Sequence, residues 1–346
     1  MKKLLVLNTD PKEFSYGGVC PFMRNMHPFL EDSFELDYIT LPDSWKKIPG
    51  STRMKYLVYL WLHREKLNKC DYILSHGPEG SYVASFSKTP YAHVYHGNSN
   101  PMTISRFKIG KYFAKMYDKM FERIDQTASL VYTVGPVRNE RQKKLHNPLN
   151  QNVKPRPVSE RHGFIFAGRL EAMKNVDRLI RIYSKLPANI REENPFYIAG
   201  FGTQETYLRG VVDELSADMP AIKEQVVFLG KIENTKMLEV DSDKKILLMA
   251  STTEGMPTAI AEAFSVGLPV VSTAVGDIPS VVQNGKQGEL LPVDFEDDAY
   301  IDAILRILEQ YDSYSVAAYE SSKVFNARNV TEQVISDINV LLNGGE

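Results

Sequence analysis

The sequence predicts an α/β protein of two domains, each a parallel sheet covered by helices on both faces. Three observations carry this. The 346 residues exceed what one hydrophobic core usually organises. The second half alternates short apolar runs with helical patterns. The first half shows the same alternation less cleanly. Strands separated by helices imply a parallel sheet buried on both sides.

In the first half, Leu4 to Leu7, Asp37 to Thr40, Tyr72 to Ser75, Tyr91 to Tyr95 and Leu130 to Thr133 read as strands. Helices are expected over Val19 to Leu30, Met54 to Leu67 and Ile104 to Ile124. Leu145 to Pro157 is rich in Asn and Pro and reads as the linker between domains. In the second half, Gly163 to Ala167 is an apolar run closed by Gly168. A helical pattern follows through Val176, Leu179, Ile180 and Tyr183. Phe196 to Ala199, Val226 to Leu229, Ile246 to Met249 and Pro269 to Ser272 are further strands. The expected division is 1–150, 158–325 and a C-terminal helix, 326–346, that packs back on the N-terminal domain.

Composition excludes several classes. The apolar fraction is 43%, ordinary for a globular chain and too high for a disordered one. Cys20 and Cys70 lie far apart without metal-type spacing, so a reducing compartment and no metal site are expected. The apolar run Leu4 to Leu7 ends at Asn8, too short for a secretion signal, and no stretch is long enough to span a membrane. A cytoplasmic protein is the expectation, with peripheral membrane contact left open. Charge is uneven: residues 1–150 hold 22 Lys and Arg against 14 Asp and Glu, while residues 151–346 hold 19 against 29. A basic half suits an anionic partner, or simply attracts the acidic half. It lacks a recognisable nucleic-acid motif and a concentrated basic stripe, so no nucleic-acid partner is expected.

In open α/β sheets, ligands bind beyond the carboxyl ends of the strands. The most informative segment, Ser251 to Val271, follows such a strand. Pro257 suits a helix start, and Gly267 with Pro269 ends that helix. The N–H groups of Gly255, Met256, Thr258 and Ala259, on the turn that Pro257 sets, would offer a site for a phosphate or sugar hydroxyl. Glu262 stands on a helix apolar nearly all round, so its carboxylate needs a partner. A ribose diol would serve, as would a protein group. Arg169, just beyond a strand, and Lys174 together suit a diphosphate clamp.

Glu254-Gly-x-Pro followed by Glu262, with Ala263-Phe-Ser-Val-Gly-Leu-Pro-Val-Val beyond it and then Gly276, Asn284-Gly285 and Gly288, resembles the signature of the GT4-type retaining glycosyltransferases of GT-B fold. The resemblance is specific over residues 163–293 and weaker before them. It implies two Rossmann-like domains facing across a cleft. It implies transfer of a sugar from a nucleotide-diphosphate donor to a hydroxyl, with retention and without a metal, in polysaccharide or glycolipid biosynthesis. It assigns Arg169 and Lys174 to the leaving diphosphate, Glu254 to a sugar hydroxyl and Glu262 to the ribose. Gly17 and Gly18 would turn near the donor phosphates or the acceptor. His96, after the strand Tyr91 to Tyr95, would contact the donor sugar, with His76 and His93 as rivals. Ile232 would wall the base. UDP-sugar is the favoured donor, GDP-sugar the next. One departure is Ser280, where the family usually carries Glu.

Three features stay open. Gly200-Phe-Gly202 is half of a dinucleotide fingerprint, which the family carries without binding NAD. Asp241-Ser-Asp243 looks like a metal motif but precedes its strand, so it reads as a solvated loop. Ile104 to Ile124 sets Ile109, Phe113, Met116, Met120 and Ile124 opposite a row of lysines. That suits a membrane surface and a lipid-linked acceptor, or a core helix with a solvated face. A catalytically silent binding subunit and a GT-B-fold epimerase are the rival functions.

Overall fold

A computed structural model describes residues 1–11, 19–96, 100, 110–150 and 153–344. It divides into two compact units, Met1–Asn150 with Phe325–Glu346, and Gln151–Val324.

In chain order the first unit holds β1 (Lys2–Leu7), α1 (Val19–Glu31), β2 (Phe34–Ile39), α2 (Asp43–Lys46), α3 (Thr52–Leu62), β3 (Tyr72–Ser75), α4 (Pro78–Ala84), β4 (Tyr91–Tyr95), α5 (Gly110–Thr127), β5 (Leu130–Thr133) and β6 (Gln142–Lys144). The second holds β7 (Phe164–Ala167), α6 (Val176–Lys185), α7 (Ala188–Glu193), β8 (Phe196–Ala199), α8 (Glu205–Leu215), α9 (Ile222–Gln225), β9 (Val226–Gly230), α10 (Asn234–Ser242), β10 (Ile246–Leu248), α11 (Thr258–Ser265), β11 (Val270–Thr273), β12 (Gly288–Leu291), α12 (Asp297–Glu309) and α13 (Tyr311–Ser321). The chain then returns to the first unit as α14 (Ala327–Leu342).

Both sheets are wholly parallel. The first runs β2-β1-β3-β4-β5-β6, the second β12-β11-β10-β7-β8-β9. Strand order reverses between β1 and β3 in the first and between β7 and β10 in the second. A crevice opens at such a reversal, because the flanking connections leave towards opposite faces.

Strand periodicity sends alternate side chains to opposite layers. Leu4 packs with Phe22 and Met26 of α1 and with Val330, Val334 and Ile338 of α14. Leu5 and Leu7 pack with Tyr56, Leu60, Val83 and Ile124 on the other side. In the second unit, Phe164, Phe166, Ile246 and Leu248 anchor a core that includes Leu179, Ile180 and Tyr300.

Several expectations change. The helix expected over Met54 to Leu67 is α3, ending at Leu62, followed by a 3-10 turn at Arg64–Asn68. Two further strands, β6 and β12, were not expected. Within the expected linker, Leu145 is fully buried, and Leu149 N–H donates to Phe325 O at 2.7 Å. In α5 the apolar residues Met120 and Ile124 are buried while Lys115 and Lys119 are exposed. Ile104 to Ile109 lie outside the described residues. No described helix is long and apolar enough to cross a membrane.

Candidate active site

The reversal between β7 and β10 gathers the second unit's chemistry. Gly168 and Arg169 follow β7, and the Ser251 to Pro257 loop follows β10. Two hydrogen bonds tie these loops together. Thr252 N–H donates to Met173 O at 2.9 Å, and Asn175 Nδ2 donates to Ala250 O at 3.0 Å. Asn175 does this from a left-handed conformation, φ 49°, which Asn tolerates better than most residues.

The loop after β7 is fixed from its other side by the Gly-x-Gly turn. Gly168 N–H donates to Ala199 O at 2.9 Å, and Leu170 N–H donates to Phe201 O at 3.0 Å. A Cβ on Gly200 would stand 1.8 Å from Gly168 O, and one on Gly202 would stand 2.3 Å from Leu170 O. This turn therefore supports the Arg169 loop at close range, a packing reason for the two glycines. Gly200 N–H in turn donates to Gly230 O at 2.8 Å, bringing in the β9 loop that carries half-buried Ile232.

Arg169 is exposed, and its guanidinium pairs with none of the described residues. Lys174 ion-pairs with Glu254, and both side chains are largely buried. Ser251 Oγ also donates to Glu254 Oε1, at 2.7 Å. Lys174 and Glu254 thus form one unit here, a pairing that 80 residues of separation hide from the sequence. Beneath Glu254, Asp277 N–H donates to Gly255 O at 3.0 Å. Gly276 lies so close that a Cβ would be 2.2 Å from Glu254 O.

Helix α11 begins at Thr258, with Pro257 at its N-cap position. Gly255 and Thr258 are exposed there, while Met256 and Ala259 are nearly buried. The helix is enclosed: Ile260, Ala261, Ala263 and Phe264 are at most 1% exposed. Glu262 keeps partial access, and its carboxylate hydrogen-bonds to no described residue. Burial pushes its carboxyl up to about 7.

Asp241 corrects an expectation. It is not part of a solvated loop: it stands in the last turn of α10, 1% exposed, with Oδ1 buried and unpaired among the described residues. Burial first, then the nearby Glu262 charge, pushes its carboxyl well up. Asp243 pairs with Lys244 at 2.7 Å. A buried carboxyl and an ion-paired one make a poor donor set for a hydrated metal.

At the first unit's reversal, Gly17 and Gly18 lie outside the described residues. His96 follows β4, half-buried, and His76 follows β3, 4% exposed. His76 Nδ1 lies 3.0 Å from His96 Nε2. His93 is instead inside β4 against Ser81 Oγ, at 2.6 Å. Sequence reasoning missed Glu79, fully buried at the start of α4. Arg53 Nη1 donates to it at 3.0 Å and Tyr117 Oη at 2.5 Å. Its signal was faint: one acid after a strand end, with partners on two other helices.

A family model for glycosyl transferases group 1 matches residues 150–324, just over half of the chain. The D-inositol 3-phosphate glycosyltransferase of Mycobacteroides abscessus is 28% identical over 172 residues, 49% of this chain and 38% of that protein. The chain thus matches well under half the length of that curated relative, and 32% of two others. Among solved structures, sucrose-phosphate synthase from Thermosynechococcus elongatus aligns with a TM-score of 0.77 at 16% identity, covering 99% of this chain and all of that one. Anabaena HepE in complex with UDP aligns at 0.69 and 15% identity, covering 98% of this chain and all of that one. These structural likenesses concern the fold.

Proposed function

Because the chain belongs to the group 1 glycosyl transferases, we propose that it moves a sugar from a nucleoside diphosphate to a hydroxyl acceptor with retention at the anomeric carbon. Its two doubly wound units are the Rossmann-like domains of the GT-B fold. The observation that carries the proposal is the meeting of Arg169, Lys174 and Glu254 on two tied loops at the β7/β10 reversal.

Each residue then has a task. The unpaired Arg169 and the N–H groups at the start of α11 receive the diphosphate. Lys174 is held ready by Glu254 and turns to phosphate when the donor enters, freeing Glu254 for a sugar hydroxyl. Positive charge from Arg169 and Lys174 stabilises the leaving diphosphate, so the reading needs no metal ion. Glu262, unpaired on a buried helix, accepts from the ribose hydroxyls, and Ile232 flanks the base. The acceptor hydroxyl attacks on the face the diphosphate leaves, and the departing phosphate takes its proton. Gly17 and Gly18 are assigned to the phosphates or the acceptor, and His96 to the sugar. The acceptor is a carbohydrate or a lipid-linked hydroxyl in polysaccharide or glycolipid synthesis. UDP-sugar is favoured, in keeping with the UDP in the HepE structure, and GDP-sugar is next.

Thermal unfolding with UDP, GDP and ADP, on wild type and Glu262→Ala, tests this. A ligand at 100 times its Kd adds about 2.7 kcal/mol by mass action. One nucleotide is expected to raise the midpoint clearly in wild type and much less in Glu262→Ala. No shift with any nucleotide sinks the donor-site assignment.

A further inference from the structure

Six of the seven histidines lie in the first unit, and four of them, His27, His76, His93 and His96, gather together. The His76 ring lies 5.8 Å from His27 and 5.3 Å from His96, centroid to centroid. Phe22 sets its edge against both His76 and His96, at 5.7 and 4.7 Å. Desolvation holds His76 well below the ordinary histidine range and takes His96 down to about 3. Both rings are therefore neutral at physiological pH, and each carries one proton.

The 3.0 Å contact between His76 Nδ1 and His96 Nε2 needs one donor and one acceptor. His76 Nε2 decides which. It is buried and finds no hydrogen-bond partner among the described residues. If His76 carried its proton there, a buried N–H would be orphaned, which proteins tolerate less well than a bare acceptor. The proton therefore sits on His76 Nδ1 and is donated to His96 Nε2. That leaves the His96 proton on Nδ1, which hydrogen-bonds to no described residue on a ring that keeps partial access.

We propose that His76 is a positioning residue that locks His96 as the Nδ1–H tautomer, so that His96 meets the sugar donor only as a hydrogen-bond donor and never as a base. The sugar contact rests on the function proposed above; the lock itself rests on the histidine geometry. With Nε2 occupied, His96 has no free lone pair with which to take a proton from the acceptor. A donor fixed in this way suits a sugar hydroxyl oxygen, and it leaves the acceptor's proton to the leaving phosphate.

Nitrogen-resolved imidazole spectra of the full chain, with release of UDP from UDP-glucose as the rate, test this in wild type, His76→Asn and His76→Leu. In wild type, His96 is expected to be protonated at Nδ1 and bare at Nε2. Asn places an amide N–H near the Nδ1 position, so His76→Asn should keep both the pattern and the rate. His76→Leu should lose the pattern and lower kcat about tenfold, the scale of one neutral hydrogen bond, with a smaller change in KM. In a His96→Ala background, His76→Leu should add nothing further. A proton on His96 Nε2 in wild type, or an undiminished effect of His76→Leu without His96, overturns the lock. An intact Nδ1–H pattern in a chain that binds no nucleotide upholds the lock and overturns the transferase reading instead.

Discussion

At the carboxyl edge of the second sheet, charge does the positioning: Arg169 is unpaired, Lys174 and Glu254 neutralise each other, and Glu262 waits half-neutral on a buried helix. At the same edge of the first sheet, the described residues include the partly accessible neutral imidazole of His96, the Asp10–Lys46 ion pair, and the buried acid Glu79, closed off by Arg53 and Tyr117. The two edges share a topology but suit different ligand chemistries. A diphosphate needs cations and backbone N–H groups. A sugar ring, which carries no charge, needs aimed hydrogen-bond donors.

The sharpest way to break this contrast is to remove a charge and compare it with removal of a donor. On the proposed reading, Lys174→Ala takes away part of the leaving-group stabilisation and leaves Glu254 without its cation. Its kcat is expected to fall on the order of 10² to 10³-fold in steady-state transfer. His96→Ala should cost far less, and equal losses at the two edges would erase the distinction. A second comparison concerns the backbone beneath the charge. Gly200→Ala brings a Cβ to 1.8 Å from Gly168 O, so the Arg169 loop must shift. Thermal unfolding should show a loss of about 1–3 kcal/mol, in the range of an overpacked interior. Gly210, in α8 with open space around its Cβ position, is the control: Gly210→Ala should stabilise by up to about 1 kcal/mol. A neutral Gly200→Ala would mean that the two turns do not depend on each other.

The smallest effect is in pH. The Glu262 carboxyl is raised from 4.5 to about 7 by burial, so the fold favours its neutral form. Its ionisation in the unfolded chain erodes stability as pH rises from 4.5 towards 7. On the proposed reading the ionised form accepts from the ribose hydroxyls, so UDP affinity should rise as pH passes through about 7 and then level off. Calorimetric titration of Glu262→Gln should show a weaker and flatter profile. The lowered His76 and His96 stay neutral over that range and should add no inflection of their own.

The sequence made the strand framework legible where a strand was a continuous apolar run; it placed β2 late, at Asp37 to Thr40 instead of Phe34–Ile39, and missed the buried β12. The limits expected for Tyr72 to Ser75, Tyr91 to Tyr95, Leu130 to Thr133 and Phe196 to Ala199 are those observed. Strand β6, Gln142-Lys-Lys144, sits at a sheet edge and has no apolar run to announce it. Local spacing marked the segment around Glu254 and Glu262 because one turn and one helix hold all of it. It could not show that Lys174 is tied to Glu254, or that Asp241 faces inward beside Glu262, since those neighbours arise from packing. Gly200 and Gly202 were visible as a motif, but their use was not: what they leave room for is a carbonyl of a loop more than thirty residues earlier.

The return of α14 to the first unit has a consequence for the order of events during synthesis. Val330, Val334 and Ile338 complete the layer over Leu4, Tyr72 and Tyr132, and Leu149 is zipped to Phe325 and Ala327 where the chain leaves and comes back. Residues 151–324 form a continuous stretch with a core of their own. The later-coded unit can therefore mature on the ribosome while the earlier one waits, an apolar seam still open, for its final helix to emerge. For this chain the first domain begun is the last domain finished.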